Sequence, residues 1–129
     1  MSRSLQNVAK IGEKLAVEHL KTQGYQILAE NYRYQRGEID IISKHEERIV
    51  FVEVKTRRSL KYGVPQAAVT EQKQRQISKI ALAYLQTHHL IDSPCRFDVI
   101  AIHLTRDLKL INLKQIKSAF EFIPETNLI

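Results

Sequence analysis

At 129 residues the chain is long enough for one domain with a sizeable core, and 43% hydrophobic with 26% charged residues excludes disordered and fibrous classes. A net charge of +6 and a pI near 9.6 favour an anionic partner. Nucleic acid leads a membrane surface here, because no predicted helix is basic on one side and strongly apolar on the other. No apolar run approaches the ~20 residues of a membrane span, residues 1–6 lack a signal-peptide core, and the single cysteine, Cys95, excludes an internal disulfide and fits a reducing cytoplasm.

Leu5, Val8, Ile11, Gly12, Leu15, Ala16, His19 and Leu20 recur at helical spacing and predict a first helix, with Gly24 as its C-terminal stop. Glu13 lies at the edge of that stripe, and the period alone allows it to face either the sheet or solvent. Residues 25–28 and 31–34 predict a first strand bent near Ala29 and Glu30.

The next two runs carry the chemistry. Gly37-Glu38-Ile39-Asp40-Ile41-Ile42 and Ile49-Val50-Phe51-Val52-Glu53-Val54-Lys55 read as strands apolar on both faces, hence central and covered on both sides. Alternation puts Ile49, Phe51, Glu53 and Lys55 on one face of the second run, and Glu38, Asp40 and Ile42 together on the first. A four-residue loop at 45–48 would make an antiparallel hairpin pairing Lys44 with Ile49, Ile42 with Phe51 and Asp40 with Glu53. Directly opposed side chains have Cβ atoms roughly 5 Å apart. Two carboxylates at that distance in an apolar setting need a cation, which Lys55 or a divalent metal would supply. The simpler alternative is a structural ion pair of Lys55 with Glu53 or with Glu38.

Arg57, Arg58 and Lys61 fall in a basic loop containing Tyr62, Gly63 and Pro65 immediately after Lys55, suited to phosphate contact or to an aromatic lid, or else a plain solvated loop. Thr70 is the expected N-cap of a second helix running to about His88, with Ile77, Ile80, Ala81, Tyr84 and Leu85 as its buried stripe. One turn back from Ile77 stands Lys73, with Gln72 on the neighbouring line, either aimed at the carboxylates or simply exposed in the first turn. His88-His89 is no metal motif, because adjacent helical positions diverge by ~100°. Residues 96–104 predict a strand in which Asp98 is a further ligand or the partner of Arg96; residues 108–113 follow as another strand and 114–122 as a short helix. The absence of a Gly-rich phosphate loop excludes nucleoside-triphosphate chemistry of that type. The expected fold is α/β, a central mixed sheet flanked by helices, in the order helix, three strands, helix, two strands, short helix.

Asp40 with Glu53-Val54-Lys55 resembles the motif of the PD-(D/E)XK nuclease superfamily. Ile11 to Ala16, Gly24 to Leu28, Asn31-Tyr32-Arg33, Arg36 to Asp40, Val50 to Arg57 and Arg96 to Val99 together resemble the bacterial YraN family, small proteins related to archaeal Holliday-junction resolvases. The resemblance implies a restriction-endonuclease-like domain spanning 1–129 and a Mg²⁺- or Mn²⁺-dependent endonuclease acting on DNA, with branched DNA as the favoured substrate. It implies Asp40 and Glu53 as metal ligands assisted by Glu13, Lys55 as the catalytic lysine, and Lys73 and Gln72 as helpers from the second helix. A homodimer is compatible with it, although no interface is legible. The competing expectations are a nucleic-acid-binding module that performs no hydrolysis, and a protein-interaction domain without salt-sensitive DNA affinity.

Overall fold

The computed structural model describes residues 3–58 and 69–125. The elements in chain order are α1 (Arg3–Thr22), β1 (Gln26–Tyr34), β2 (Gly37–His45), β3 (Arg48–Arg57), α2 (Glu71–Thr87), β4 (Cys95–Leu104) and β5 (Leu110–Phe120). The expected loop residues Lys61, Tyr62, Gly63 and Pro65 lie outside the described part.

Helix α1 stops where the sequence says it should. Gly24 adopts φ +88°, its N–H donates to the Lys21 carbonyl (3.0 Å), and the Tyr25 N–H donates to the Leu20 carbonyl (2.9 Å). This pair of bonds closes the helix end and needs a left-handed residue, which glycine supplies without a Cβ clash. At α2, the Thr70 side chain accepts from the Lys73 N–H, satisfying one of the free donors of the first turn.

The five strands form one mixed sheet in the order β1-β2-β3-β4-β5, antiparallel except for the parallel β3–β4 pair. That parallel pair requires a crossover, which α2 provides. Val50, Val52, Ile100, Ile102 and Leu104 pack with Val8, Ala16, Val17 and Leu20 of α1. On the opposite face, Ile49, Phe51, Phe97 and Val99 pack with Ile77, Ile80, Ala81, Tyr84 and Leu85 of α2. The central strands are thus covered on both faces, as their continuous apolar runs imply. The architecture is α/β, a five-stranded mixed sheet with one helix on each face, and it fits a restriction-endonuclease-like arrangement.

Three sequence expectations need correction. The β2–β3 connection is a two-residue turn, because His45 pairs with Arg48 and the chain reverses at Glu46 (φ +57°) and Glu47; the pairs Lys44–Ile49 and Ile42–Phe51 stand as expected. The ladder then ends at Ile41–Val52, so Asp40 and Glu53 are not a backbone pair. Alternation also breaks at Asp40, since Ile39 and Ile42 belong to the α2 side of the sheet and Ile41 to the α1 side.

The third correction is β5. Residues 114–120, expected as part of a short helix, extend a strand paired along β4 (Lys114 with Ala101, Ile116 with Val99, Phe120 with Phe97). A bulge lies between those last two pairs, with Ser118 at φ +52°. β5 advances four residues there while β4 advances two, and with Ser118 left-handed the inward-packed Ile116, Ala119 and Phe120 recur at a spacing that mimics a helix.

Candidate active site

Where the β2–β3 ladder ends, the Asp40 side chain takes over. Its Oδ2 accepts the Val54 N–H at 2.8 Å, a donor that the next rung of the ladder would otherwise have used. The carboxylate is therefore fixed against the backbone of β3, one residue from Glu53 and one from Lys55.

Glu53 is 3% exposed, and its Oε1 has no hydrogen-bond partner. A buried, unsatisfied carboxylate oxygen is costly in a folded protein and marks a place where an additional group belongs. Burial pushes the Glu53 carboxyl from 4.5 up to about 8, the nearby Asp40 charge adds to the rise, and Lys73, Lys55 and an Asp40 backbone hydrogen bond oppose it. Burial likewise raises Asp40 from 3.8 to about 6; the Val54 bond lowers it, Glu13 raises it, and Lys73 and Lys55 lower it. Both acids bind their protons more tightly than they would in water, Glu53 more so than Asp40, and a cation beside them would favour the ionised forms.

The simple ion-pair alternative does not hold among the described residues. Neither Glu53 nor Glu38 lies within 4.0 Å of Lys55; Glu38 instead pairs with Arg33 at 3.5 Å. Lys55 and Lys73 act on the two carboxylates through space, one from β3 and the other from the first turn of α2. Glu13 is drawn toward this region. Its Oε1 accepts from Asn31 Nδ2 at 3.2 Å, and the same amide donates to Glu38 Oε1 at 3.4 Å. Asn31 sits at φ +49°, which asparagine tolerates better than most residues, and sequence reasoning gave it no site role.

Glu13, Lys55, Thr56 and Arg57 line a cavity of about 230 Å³ beside α1, and Arg57 also donates to the Thr56 carbonyl at 3.1 Å. On the α2 side, Gln72 and Lys73 line another of about 290 Å³ together with Thr70 and Gln76. Arg58 is exposed at the end of the described part of its segment, and Lys61 falls outside the described residues. Asp98 lies elsewhere and is fully accounted for. It accepts from Arg96 Nε (2.9 Å), Gln115 Nε2 (2.9 Å) and the Ser118 N–H (3.0 Å), while Arg96 also donates to the Tyr25 hydroxyl. It is the Arg96 partner and a structural tie.

Gly37, at the start of β2, keeps a space clear. A Cβ there would stand 2.7 Å from Gln76 Cδ and 2.9 Å from Ile80 Cδ1, so the glycine leaves room for the Gln76 amide beside β2.

The donor set suits a hard divalent cation, namely two adjacent carboxylates, one with a free buried oxygen. Among the described residues no three His, Cys, Asp or Glu side chains gather into a group able to hold a metal ion. Asp40 and Glu53 would consequently share such an ion with water and ligand oxygens. No helix among the described residues is long and apolar enough to cross a membrane.

The sequence model of the family described as "Uncharacterised protein family UPF0102" matches residues 12–102. A UPF0102 protein of Syntrophus aciditrophicus is 52% identical over 121 residues, covering 92% of this chain and 94% of that one. One of Geotalea uraniireducens is 53% identical over 110 residues, covering 85% and 86%. Among solved structures, Pyrococcus furiosus SfsA in complex with Ca²⁺ aligns with a TM-score of 0.42 and 14% identity, over 83% of this chain and 62% of that one.

Proposed function

The chain belongs to the UPF0102 (YraN) family, and from that premise we propose that it is a metal-dependent endonuclease that hydrolyses phosphodiester bonds in DNA. The observation that carries the proposal is the buried Glu53 carboxylate with its unpartnered Oε1, near Asp40 and within the electrostatic reach of Lys55 and Lys73. A structural role would have paired that oxygen; a cation site leaves it free.

Asp40 and Glu53 would hold Mg²⁺ or Mn²⁺, with Glu13 adding charge from α1. When bound, the ion supplies Lewis acidity at a non-bridging phosphate oxygen and lowers the pKa of water beside it. Lys55 Nζ donates to the attacking water and orients it toward phosphorus. Lys73, from the start of α2, offsets negative charge as it builds on the phosphate. The reaction adds the hydroxyl of water to phosphorus and its proton to the departing sugar oxygen, giving a phosphomonoester and an alcohol. Arg57 and Arg58 extend cationic surface from the end of β3 and contact flanking phosphates, a role the sequence also offers to Lys61. Branched DNA remains the favoured substrate on the family's relation to resolvases.

One observation favours a second reading, a nucleic-acid-binding module without turnover: no third acid completes the carboxylate pair among the described residues. The deciding experiment offers four-way junctions, flaps, single strands and linear duplex with Mg²⁺ or Mn²⁺, using wild type, Asp40→Ala and Lys55→Ala. Cutting that both substitutions abolish establishes the nuclease and its substrate. Binding without cutting, unaltered by either change, supports the module.

A further inference from the structure

A wider cavity lies away from the Asp40–Glu53 pair. It measures about 660 Å³ and opens between the β1–β2 turn and the outer side of α2, with Arg36, Arg75 and Lys79 in its lining. Arg36 and Lys79 have no ion-pair partner among the described residues, while Arg75 is held by Glu71 at 2.8 Å. Glu125 is its one acidic lining residue. Unpaired cations around a concavity attract an anion, and fixed side chains near them offer hydrogen bonds to it.

Position identifies the anion. Gln76 lines both this cavity and the smaller one that contains Gln72 and Lys73. Gly37 makes the shared wall feasible, since any side chain there would displace the Gln76 amide. Lys73, Gln76 and Lys79 succeed one another along one side of α2, so the first and last are about 9 Å apart along the axis at 1.5 Å per residue. That length spans roughly two to three phosphates of one duplex strand, at 3.4 Å each.

We propose that the Arg36–Lys79 cleft is a second phosphate subsite that grips the nucleic-acid backbone away from the Asp40–Glu53 pair, using Gln76 as the bridge between the two. This rests on the nucleic-acid reading above. The cleft makes the site one for extended strands rather than for mononucleotides or free ends. It also fixes the direction of the bound strand, from the carboxylates along α2 toward the β1–β2 turn.

The test is anisotropy of a fluorescein-labelled 20-base-pair DNA duplex across a salt series, in an Asp40→Asn background so that the probe survives. R36Q/K79Q is compared with K10Q/K21Q, which removes the same charge from exposed positions of α1 on the opposite face of the sheet. The expected result is a loss of about 10-fold or more in affinity for R36Q/K79Q alone, with the log–log salt slope falling by about 2. Equal behaviour of the two double variants, with DNA still bound, overturns the subsite and leaves the nuclease reading standing. No salt-sensitive binding by any form overturns both. All four positions are exposed, so circular dichroism is expected to be unchanged.

Discussion

A carboxylic acid that is only 3% exposed makes the protein's stability depend on pH in an unusual direction. Glu53 and Asp40 both bind protons more tightly folded than unfolded, with folded values near 8 and 6 against ordinary values of 4.5 and 3.8. The folded state therefore carries the extra protons, and the pair's contribution to stability is greatest below about pH 4 and declines as pH rises toward 8. In EDTA, Glu53→Gln is expected to gain on wild type between pH 5 and pH 8.5, by on the order of a few kcal/mol in urea unfolding. Added Mn²⁺ should return stability to wild type at pH 8.5 but not to the variant. Asp98 predicts the opposite profile of consequences. Asp98→Ala strands Arg96 beside a buried gap and should cost about 3 kcal/mol or more, while the folded protein keeps its Mn²⁺ affinity, measured by calorimetry. Asp40, Glu53 and Lys55 stand out in the sequence because charge inside an apolar strand is conspicuous. The bonds of Asn31 do not, since its two acidic partners come from α1 and β2 and meet only in three dimensions.

Among the elements, α1 depends on one close approach. A Cβ on Gly12 would collide with Thr56 Oγ1 on β3 and lie 2.9 Å from Thr56 Cβ. Gly12→Ala is thus expected to push α1 off the sheet and lower stability by about 1–3 kcal/mol, and adding Thr56→Ala should recover part of the loss in thermal unfolding. Thr70→Ala removes the α2 cap and should cost about 1 kcal/mol in the same measurement. Helix boundaries were readable because caps are local: Gly24 and Thr70 each act within five residues. Strand β5 was misread because its order comes from pairing with β4, and the bulge at Ser118 erases the alternation that would have announced it. The turn at 46–47 and the break at Asp40 were likewise invisible. Both hinge on which backbone donors find partners, a property of two strands together rather than of either one.

For the molecule as a whole, sheet order predicts a gradient of protection. β3 is central, paired on both sides and covered by both helices, whereas β1 and β5 are edges. Native-state amide exchange should be slowest at Val50, Val52 and Ile100, and fastest among strand amides at the outer edge of β5, where Leu110 and Ile111 are 47% and 54% exposed. The layered α/β arrangement followed from apolar runs alternating with helical stripes, and the +6 charge was visible from composition. How that charge is distributed was not. Arg36 and Lys79 are 43 positions apart by subtraction of their numbers, and only the crossover through α2 brings them to one cleft.

The bond from Val54 to Asp40 has a spectroscopic consequence. One carboxylate oxygen serves a backbone amide, so an ion that draws electron density from that acid weakens it as an acceptor and loosens the amide's hydrogen bond. The Val54 ¹⁵N–¹H resonance becomes a reporter built into the chain, readable without any substrate. Titration with Mg²⁺ should move that peak upfield in proportion to occupancy, while Val50, four residues earlier on the same strand, stays still.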